Sequence, residues 1–324
     1  MDLGCDGLII IGENFNATRK IKATSSRVEE KNGTYGIRYA NLDGVEYVLD
    51  ITDIFPKDPA ALRKSMIPHV AQAMRHKDLE YITWAIRSQE EAGAHIIDLC
   101  VDEISVDPEE RHEWMRWLVE TAQGISNSIV AIDSSDPETI RAGLEVHDAG
   151  KSRPAINSVN LEPERQGLVD LAKETNALLF ANASGSEGMP QDAQQRVDNL
   201  SECMELMDKA GIPMQDRFLD ALVFPVGAGA GYGNDYLDAV RMLRDRFPDV
   251  HIFGGNSNVS FGLPNRKLLN RVFGMLSLMA GCDTLMIDPL MNPPGDFKEF
   301  SMAADALTGI DEFSVRYMDY CRRS

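Results

Sequence analysis

The residues best suited to chemistry in this chain recur where short apolar runs end. Glu13 and Asn16 close the first run, Asp98 the second, Asp133 the third, Asn157 the fourth and Asn182 the fifth. Asp220 lies in the sixth, Asn256 and Asn258 follow the seventh, and Asp288 ends the eighth. A buried carboxylate or amide needs a hydrogen-bonding partner. Taken singly, each of these residues could serve as a helix cap or a strand-end bond. Collected around one mouth they would form a shared polar pocket, and the full set is hard to explain as so many separate caps. The set holds Asp, Asn and Glu but no Lys, Arg or His. It suits a neutral, donor-rich heterocycle whose amino-imino edge gives two parallel N–H bonds to a carboxylate, and it repels phosphate. Asn258 both donates and accepts, so it can follow a ligand atom whose charge or protonation changes.

Other chemistries fit less well. His69, His76, His95, His112, His147 and His251 show no ligand spacing, which argues against a zinc site and leaves no metal expected. Ser134 and Ser135 follow Asp133 with no nearby histidine base, and no GxSxG elbow occurs, so a serine hydrolase is disfavoured. The stretch from Asp249 through His251 to Gly254 matches DxHxxG, the start of a motif by which some proteins bind cobalamin through a histidine. The later SxL and GG elements are absent at the right places, and His251 opens a strand-like run. We treat that match as accidental.

The elements that must carry these residues alternate along almost the whole chain. Strands are expected at Leu8–Phe15, His95–Val101, Ile129–Asp133, Ala155–Val159, Leu178–Ala183, Arg217–Phe224, His251–Gly255 and Thr284–Asp288. Between them lie helices at Leu79–Ala92, Pro108–Ile125, Pro137–Glu145, Pro163–Thr175, Ala193–Ala210, Asp235–Phe247 and Arg266–Ala280, with a last helix over Glu312–Arg323. Pro108, Pro137 and Pro163 each stand where a helix begins, a position that tolerates a missing N–H. About eight β-α units with continuous apolar strands point to an α/β protein with a (β/α)8 TIM barrel. An open doubly wound sheet is the alternative, but no GxGxxG turn follows the first strand. The segment Ile252–Arg271 passes from strand to amide-rich turn, to a loop with Gly262 and Pro264, to an amphipathic helix. That is how such a fold presents a hydrogen-bonding surface to a ligand.

One stretch breaks the alternation, roughly residues 18–75. It opens with TRKIKATSSRVEEKNG, and then TYGIRYA and VEYVLDI, joined by Asn41–Gly44, read as a β-hairpin. Insertions of this length usually act as lids or partner-binding elements. No interdomain linker or low-complexity tract appears, so residues 1–324 read as a single domain.

At 324 residues with 44% hydrophobic content the chain can bury a sizeable core. Its net charge of −19 argues against nucleic acid or an anionic membrane as partner. Five cysteines lie scattered without a CxxC pair, which fits a reduced, cytoplasmic setting. The N-terminal MDLGCDGLIII lacks a basic region and is too short for a signal peptide. Cys5 hints at a lipoprotein box, but no hydrophobic stretch precedes it, and no run is long enough for a membrane span.

Several motifs occur together in one order: IGENFN (Ile11–Asn16), EEAGAHIIDL (Glu90–Leu99), AIDSSDPETIRAGL (Ala131–Leu144), AINSVN (Ala155–Asn160), GMPQD, FLDALVFP and GNSNVSFGLPNR. Over Leu8–Thr18 and Asp78–Pro289 the chain resembles the pterin-binding methyltransferases. These are the methyltetrahydrofolate:corrinoid methyltransferases and the folate domain of cobalamin-dependent methionine synthase. The resemblance implies a barrel that moves a methyl group between tetrahydrofolate and the cobalt of a separate corrinoid protein, in an anaerobic O-demethylase or related one-carbon pathway. It implies that Asp133, Asn157 and Asp220 bond the amino-pyrimidine edge, and that Asn258 faces the nitrogen that gives or receives the methyl group. Glu13, Asn16 and Asp98 would line the same pocket, and Arg266 would lie toward the aminobenzoyl tail. It further implies a homodimer. The chain departs from the pattern at Cys100, where relatives carry Asn, and in the length of its insertion. Dihydropteroate synthase shares the barrel, but its Lys-bearing motif is replaced here by Asn258–Val259–Ser260. A non-catalytic folate-binding subunit is the alternative outside enzymes.

Overall fold

A computed structural model describes residues 7–323, apart from the Arg323 side chain. The readings at Cys5 and the N-terminal leader lie outside that range. Eight parallel strands carry the fold: β1 (Ile9–Asn16), β2 (Ile96–Cys100), β3 (Ile129–Asp133), β4 (Pro154–Val159), β5 (Leu178–Asn182), β6 (Arg217–Asp220), β7 (His251–Phe253) and β8 (Thr284–Ile287). They hydrogen-bond in the order β7-β6-β5-β4-β3-β2-β1-β8, and a parallel bridge between Gly255 and Met286 joins the two ends of that series. With a helix after each strand this is a (β/α)8 barrel. Apart from polar residues concentrated toward their carboxyl ends, the strands are largely apolar, as strands covered on both faces must be; in β2 all five residues are buried, Asp98 among them. The chain divides into two compact units.

One unit holds residues 13–91 and 97–154. Its helices are α1 (His69–Arg75), α2 (Leu79–Glu91), α3 (Pro108–Ile125) and α4 (Pro137–Val146). Asp107 and Asp136 cap α3 and α4, each accepting the N–H two residues on, and a proline follows at the first helical position. The insertion is a three-stranded antiparallel sheet of Val28–Lys31, Thr34–Ala40 and Glu46–Asp50. Its base is a short pairing of Ile21–Lys22 with Met66–Ile67. The sheet is docked by its buried face. Tyr39 is 6% exposed and packs its ring 4.9 Å from Tyr81 and 5.1 Å from Trp84 on α2. Tyr81 in turn bonds His69 Nδ1 at 2.7 Å, and burial pulls the His69 ring down to about 3.

The other unit holds residues up to 12, 92–96 and from 155 onward. Its helices are α5 (Leu168–Thr175), α6 (Ala193–Ala210), α7 (Tyr232–Arg246), α8 (Arg266–Ala280), α9 (Pro294–Thr308) and α10 (Val315–Arg323). β1 pairs with β8 from Ile9 opposite Thr284 to Gly12 opposite Ile287. Phe180, Phe218 and Phe253, from three adjacent strands, pack with ring centroids 4.9 and 5.3 Å apart. Among the described residues no helix is long and apolar enough to cross a membrane.

The structure departs from the sequence expectations at identifiable places. The helix expected from Pro163 starts at Leu168. Residues 162–167 are spent on turns that send the Arg165 side chain back, buried, to the Ser158 carbonyl. β6 stops at Asp220 instead of running to Phe224, because Leu222 takes a left-handed φ of 58°. β7 stops at Phe253, and Asn256–Ser260 wind into a tight helical turn. The expected C-terminal helix begins instead with a separate turn at Glu312–Ser314, in which Phe313 has a φ of 57°. α9 and the third insertion strand were not anticipated. The Asn32–Gly33 pair, with φ of 55° and 82°, is the hairpin signal that marks that strand.

Candidate functional site

In the unit from residue 155 onward, the polar residues stand at the carboxyl ends of adjacent parallel strands. Asn157 is half-buried in β4 and follows Ile156, which pairs with Leu179. The next residue, Ser158, is held firmly. Its carbonyl accepts from Arg165 Nε at 2.8 Å, and its hydroxyl accepts from Asn182 Nδ2 at 2.7 Å. Asn182 Oδ1 accepts the Ser184 N–H at 3.0 Å, so this amide supports the strand ends and is not offered to a ligand. Asp220 stands in register with Asn182. One carboxylate oxygen accepts the Leu222 N–H at 2.8 Å, while the other makes no hydrogen bond among the described residues. Burial pushes the Asp220 carboxyl up to about 7, against the pull of the Leu222 N–H and the Arg196 guanidinium.

Asn258 belongs to the turn after β7. It is exposed, and its side-chain amide bonds to nothing among the described residues, while its backbone N–H and C=O close the turn through Gly255 and Phe261. The turn is braced from α8. Asn256 Nδ2 donates to the Asn270 carbonyl at 2.8 Å, and Ser260 Oγ donates to Asn270 Oδ1 at 2.5 Å. Arg266 folds onto the same turn, donating to Ser260 Oγ at 3.0 Å and the Ser257 carbonyl at 2.8 Å. Asp288 is 8% exposed, and its Oδ1 accepts the N–H groups of Leu290 and Met291 at 3.0 and 3.1 Å. That is a loop-capping role. His251 stacks on Phe218 with centroids 4.5 Å apart and bonds Asp283 at 2.9 Å, a wholly structural use.

In the other unit, Glu13 and Asn16 lie at the end of β1, Asp98 in β2 and Asp133 at the end of β3. Arg19 NH1 donates to the Glu13 carbonyl at 3.2 Å and stands 3.9 Å from its carboxylate. Asn16 Oδ1 accepts the Thr18 N–H at 2.9 Å. Asp98 is 1% exposed, and Asp133 is half-buried. Asp102 organises the loop after Asp133. Its two oxygens accept Ser134 Oγ at 2.5 Å, the Ser135 N–H at 2.8 Å and Ser135 Oγ at 2.7 Å. Cys100 is 4% exposed; burial first, then the charges of Asp133, Asp102 and Asp98, hold its thiol well above the usual range. It is a neutral, buried thiol beside carboxylates.

The chemistry available is that of hydrogen bonds to a neutral ring system. A carboxylate with one oxygen fixed and one open accepts an N–H pair, and an uncommitted amide meets an atom that changes its protonation. The sequence reading left out the supporting residues Asp102, Arg165, Arg196 and Asn270. It looked for cations among the strand-end residues, whereas these arginines reach the strand ends from neighbouring helices and turns and bond backbone carbonyls. Arg19 also stands 3.9 Å from the Glu13 carboxylate, and the charge of Arg196 acts on Asp220. Arg196 lies on the buried face of α6 beside Val197, Leu200 and Met204, while Arg165 lies in a turn before α5.

A family model described as "Pterin binding enzyme" matches residues 69–288. The chain is 31% identical over 255 residues to a methylcorrinoid:tetrahydrofolate methyltransferase of Eubacterium limosum, covering 78% of this chain and 90% of that protein. It is 31% identical over 229 residues to methionine synthase of Mycobacterium tuberculosis, covering 67% of this chain but 19% of that much longer protein. Among solved structures, it resembles the DHPS of Yersinia pestis with a pterine-sulfa conjugate (TM-score 0.56, 16% identity, 69% of this chain and 89% of that one). It also resembles the 7,8-dihydropteroate synthase of Vibrio fischeri (TM-score 0.54, 16% identity, 69% and 88%). At that identity the likeness is one of fold.

Proposed function

This chain belongs to the pterin-binding enzyme family, and from that premise we propose that it transfers a methyl group between the cobalt of a separate corrinoid protein and the N5 nitrogen of tetrahydrofolate. The named activity of the Eubacterium limosum relative runs from methylcorrinoid to tetrahydrofolate, and we adopt that direction. The observation that carries the reading is the exposed Asn258 amide. It is uncommitted, yet the turn beneath it is braced by Asn270, Ser260 and Arg266. A preorganised polar group costs little reorganisation at the moment of reaction.

In this reading Asp133, Asn157 and Asp220 bond the amino-pyrimidine edge, while Glu13, Asn16 and Asp98 line the pterin. The open oxygen of Asp220 accepts the N–H donors of that edge. Asn258 faces N5. For methyl to move onto that nitrogen its lone pair must be free, so Asn258 accepts the nitrogen's N–H through Oδ1, and that proton passes to solvent once the N–C bond has formed. In the reverse direction the amide stabilises the charge left on the nitrogen. Arg266, turned onto the Asn258 loop, acts first as its brace and presents its remaining N–H groups toward the aminobenzoyl tail. The corrinoid, carried by its own protein, supplies the cobalt.

We further propose a cytoplasmic enzyme of an O-demethylase or related one-carbon pathway, acting as a homodimer. The exposed Leu268, Val272, Leu276 and Met279, one stripe along α8, would suit a second copy. The test mixes the purified chain with tetrahydrofolate and a methylated corrinoid protein and follows the corrinoid's visible spectrum. Demethylation that requires both tetrahydrofolate and the chain is expected. Tetrahydrofolate binding with no spectral change would reduce the protein to a folate-binding subunit.

A further inference from the structure

Arg196 lies on α6, far in sequence from Asp220, and is completely buried. Its guanidinium stands 4.6 Å over the Phe224 ring. Nε donates to the Ala221 carbonyl at 2.9 Å and, more weakly, to the Leu222 carbonyl at 3.4 Å, and NH1 donates to the Asp192 carbonyl at 2.8 Å. The peptides it grips are the two that follow Asp220. Leu222 there adopts a left-handed φ of 58°, a conformation in which a β-carbon crowds the backbone and which needs support from its surroundings. That conformation turns the Leu222 N–H back onto Asp220 Oδ1 at 2.8 Å. A large cation is therefore buried to hold two carbonyls, and through them the one N–H that fixes a carboxylate.

We propose that Arg196 is the positioning residue for Asp220, fixing the orientation and the charged state in which that carboxylate accepts a pterin's amino-pyrimidine edge. The inference rests on the functional reading above. The guanidinium acts in two ways. Its fork locks the Ala221–Leu222 segment, so that one oxygen of Asp220 is committed and the other is aimed. Its charge also favours the carboxylate over the carboxylic acid, opposing the burial that favours the acid. The other ionisable groups coupled to Asp220 are Tyr236 and Cys282, both buried and neutral at physiological pH. Asp192, Asp235 and Tyr232 act on Arg196 itself and favour its charged form.

The test measures tetrahydrofolate affinity of the full chain from pH 6 to 9 by fluorescence titration, with thermal melts in parallel. Arg196→Gln is expected to weaken binding about tenfold at pH 7 and to move the midpoint of the pH dependence upward by about one unit. Arg196→Lys retains charge without the fork, so it should keep the wild-type midpoint yet still bind more weakly. Leu222→Gly added to Arg196→Gln should recover part of the affinity, since glycine takes the left-handed conformation without a clamp. Wild-type affinity and midpoint in a folded Arg196→Gln protein would overturn the proposal. Should that variant not fold, wild-type affinity in Arg196→Lys would overturn it instead. Asp220→Asn separates the two readings. If it binds as wild type, the assignment of Asp220 to the pterin fails; if it loses binding while Arg196→Gln does not, only the role of Arg196 fails.

Discussion

The side-chain amide of Asn258 rests on Gly255: a β-carbon at position 255 would stand 2.9 Å from Asn258 Nδ2. No real side chain tolerates that approach, so Gly255→Ala must push the amide from its place. The substitution should lower the methyl-transfer rate while leaving the melting temperature close to wild type, since Gly255 is only partly buried in a loop. An unchanged rate would show that the observed rotamer is not the working one.

Removing the amide altogether isolates its chemical contribution. By analogy with lost oxyanion-hole donors, Asn258→Ala should slow transfer on the order of 10²-fold with a smaller effect on tetrahydrofolate affinity. Single-turnover rates measured beside binding titrations would separate the two. Equal rates for the two proteins would remove Asn258 from the reaction.

Asp220 gives a pH signature in stability. Its folded-state value of about 7 lies above the ordinary carboxylate value of 3.8. The stability linked to this group is therefore complete below about pH 4 and is lost as pH rises toward 7. Asp220→Asn does not titrate and still accepts from Leu222, so it should melt at nearly the same temperature as wild type at pH 4 and higher at pH 8. A gap that closes with rising pH would contradict the assignment.

His69 works with the opposite sign. Its ring is held at about 3 by burial, against an ordinary 6.5, so the fold requires it neutral. Its contribution is complete above about pH 6.5 and is lost as pH falls toward 3, at up to about 1.4 kcal/mol per pH unit. His69→Gln can still bond the Tyr81 hydroxyl, and it should flatten the drop in melting temperature between pH 7 and 5. Parallel wild-type and variant curves would sink this account.

The two contrasting thiols offer a labelling test. Cys100 is buried and kept protonated by its surroundings, whereas Cys321 is exposed. Iodoacetamide at pH 7.5 should modify Cys321 in the native protein and reach Cys100 only after denaturation, as read by peptide mass spectrometry. Rapid native labelling of Cys100 would mean that the strand end around Asp98 opens readily.

Much of this was legible in the sequence because the barrel repeats a simple pattern. Continuous apolar runs such as IIDLC and IVAID have no solution but a covered parallel sheet, and Asp-Pro pairs at 107–108 and 136–137 mark helix starts. The strand-end residues were legible for the same reason, since a polar residue closes each run. What could not be read was who supports them. Asn182 and Asp288 look like Asn157 and Asp220 in sequence, yet their bonds go to Ser158, Ser184, Leu290 and Met291. Those bonds depend on side-chain directions that periodicity does not encode. Arg165 and Arg196 were missed because a buried arginine bonded to backbone carbonyls leaves no spacing to recognise. α9 was missed because Pro293–Pro294–Gly295 reads as a break, although Pro294 is the first residue of that helix.

The sheet inserted after β1 ends, at both margins, in strands studded with charge: Glu29, Glu30 and Lys31 on one, Glu46 and Asp50 on the other. Naked strand borders normally invite another chain to add on, and ionised side chains there discourage it. With its inner surface already committed to Tyr81 and Trp84, the inserted sheet can greet a visiting protein only through its outward surface, around Arg38 and Val48. Recognition there would be written in side chains, and a partner's backbone would have no part in it.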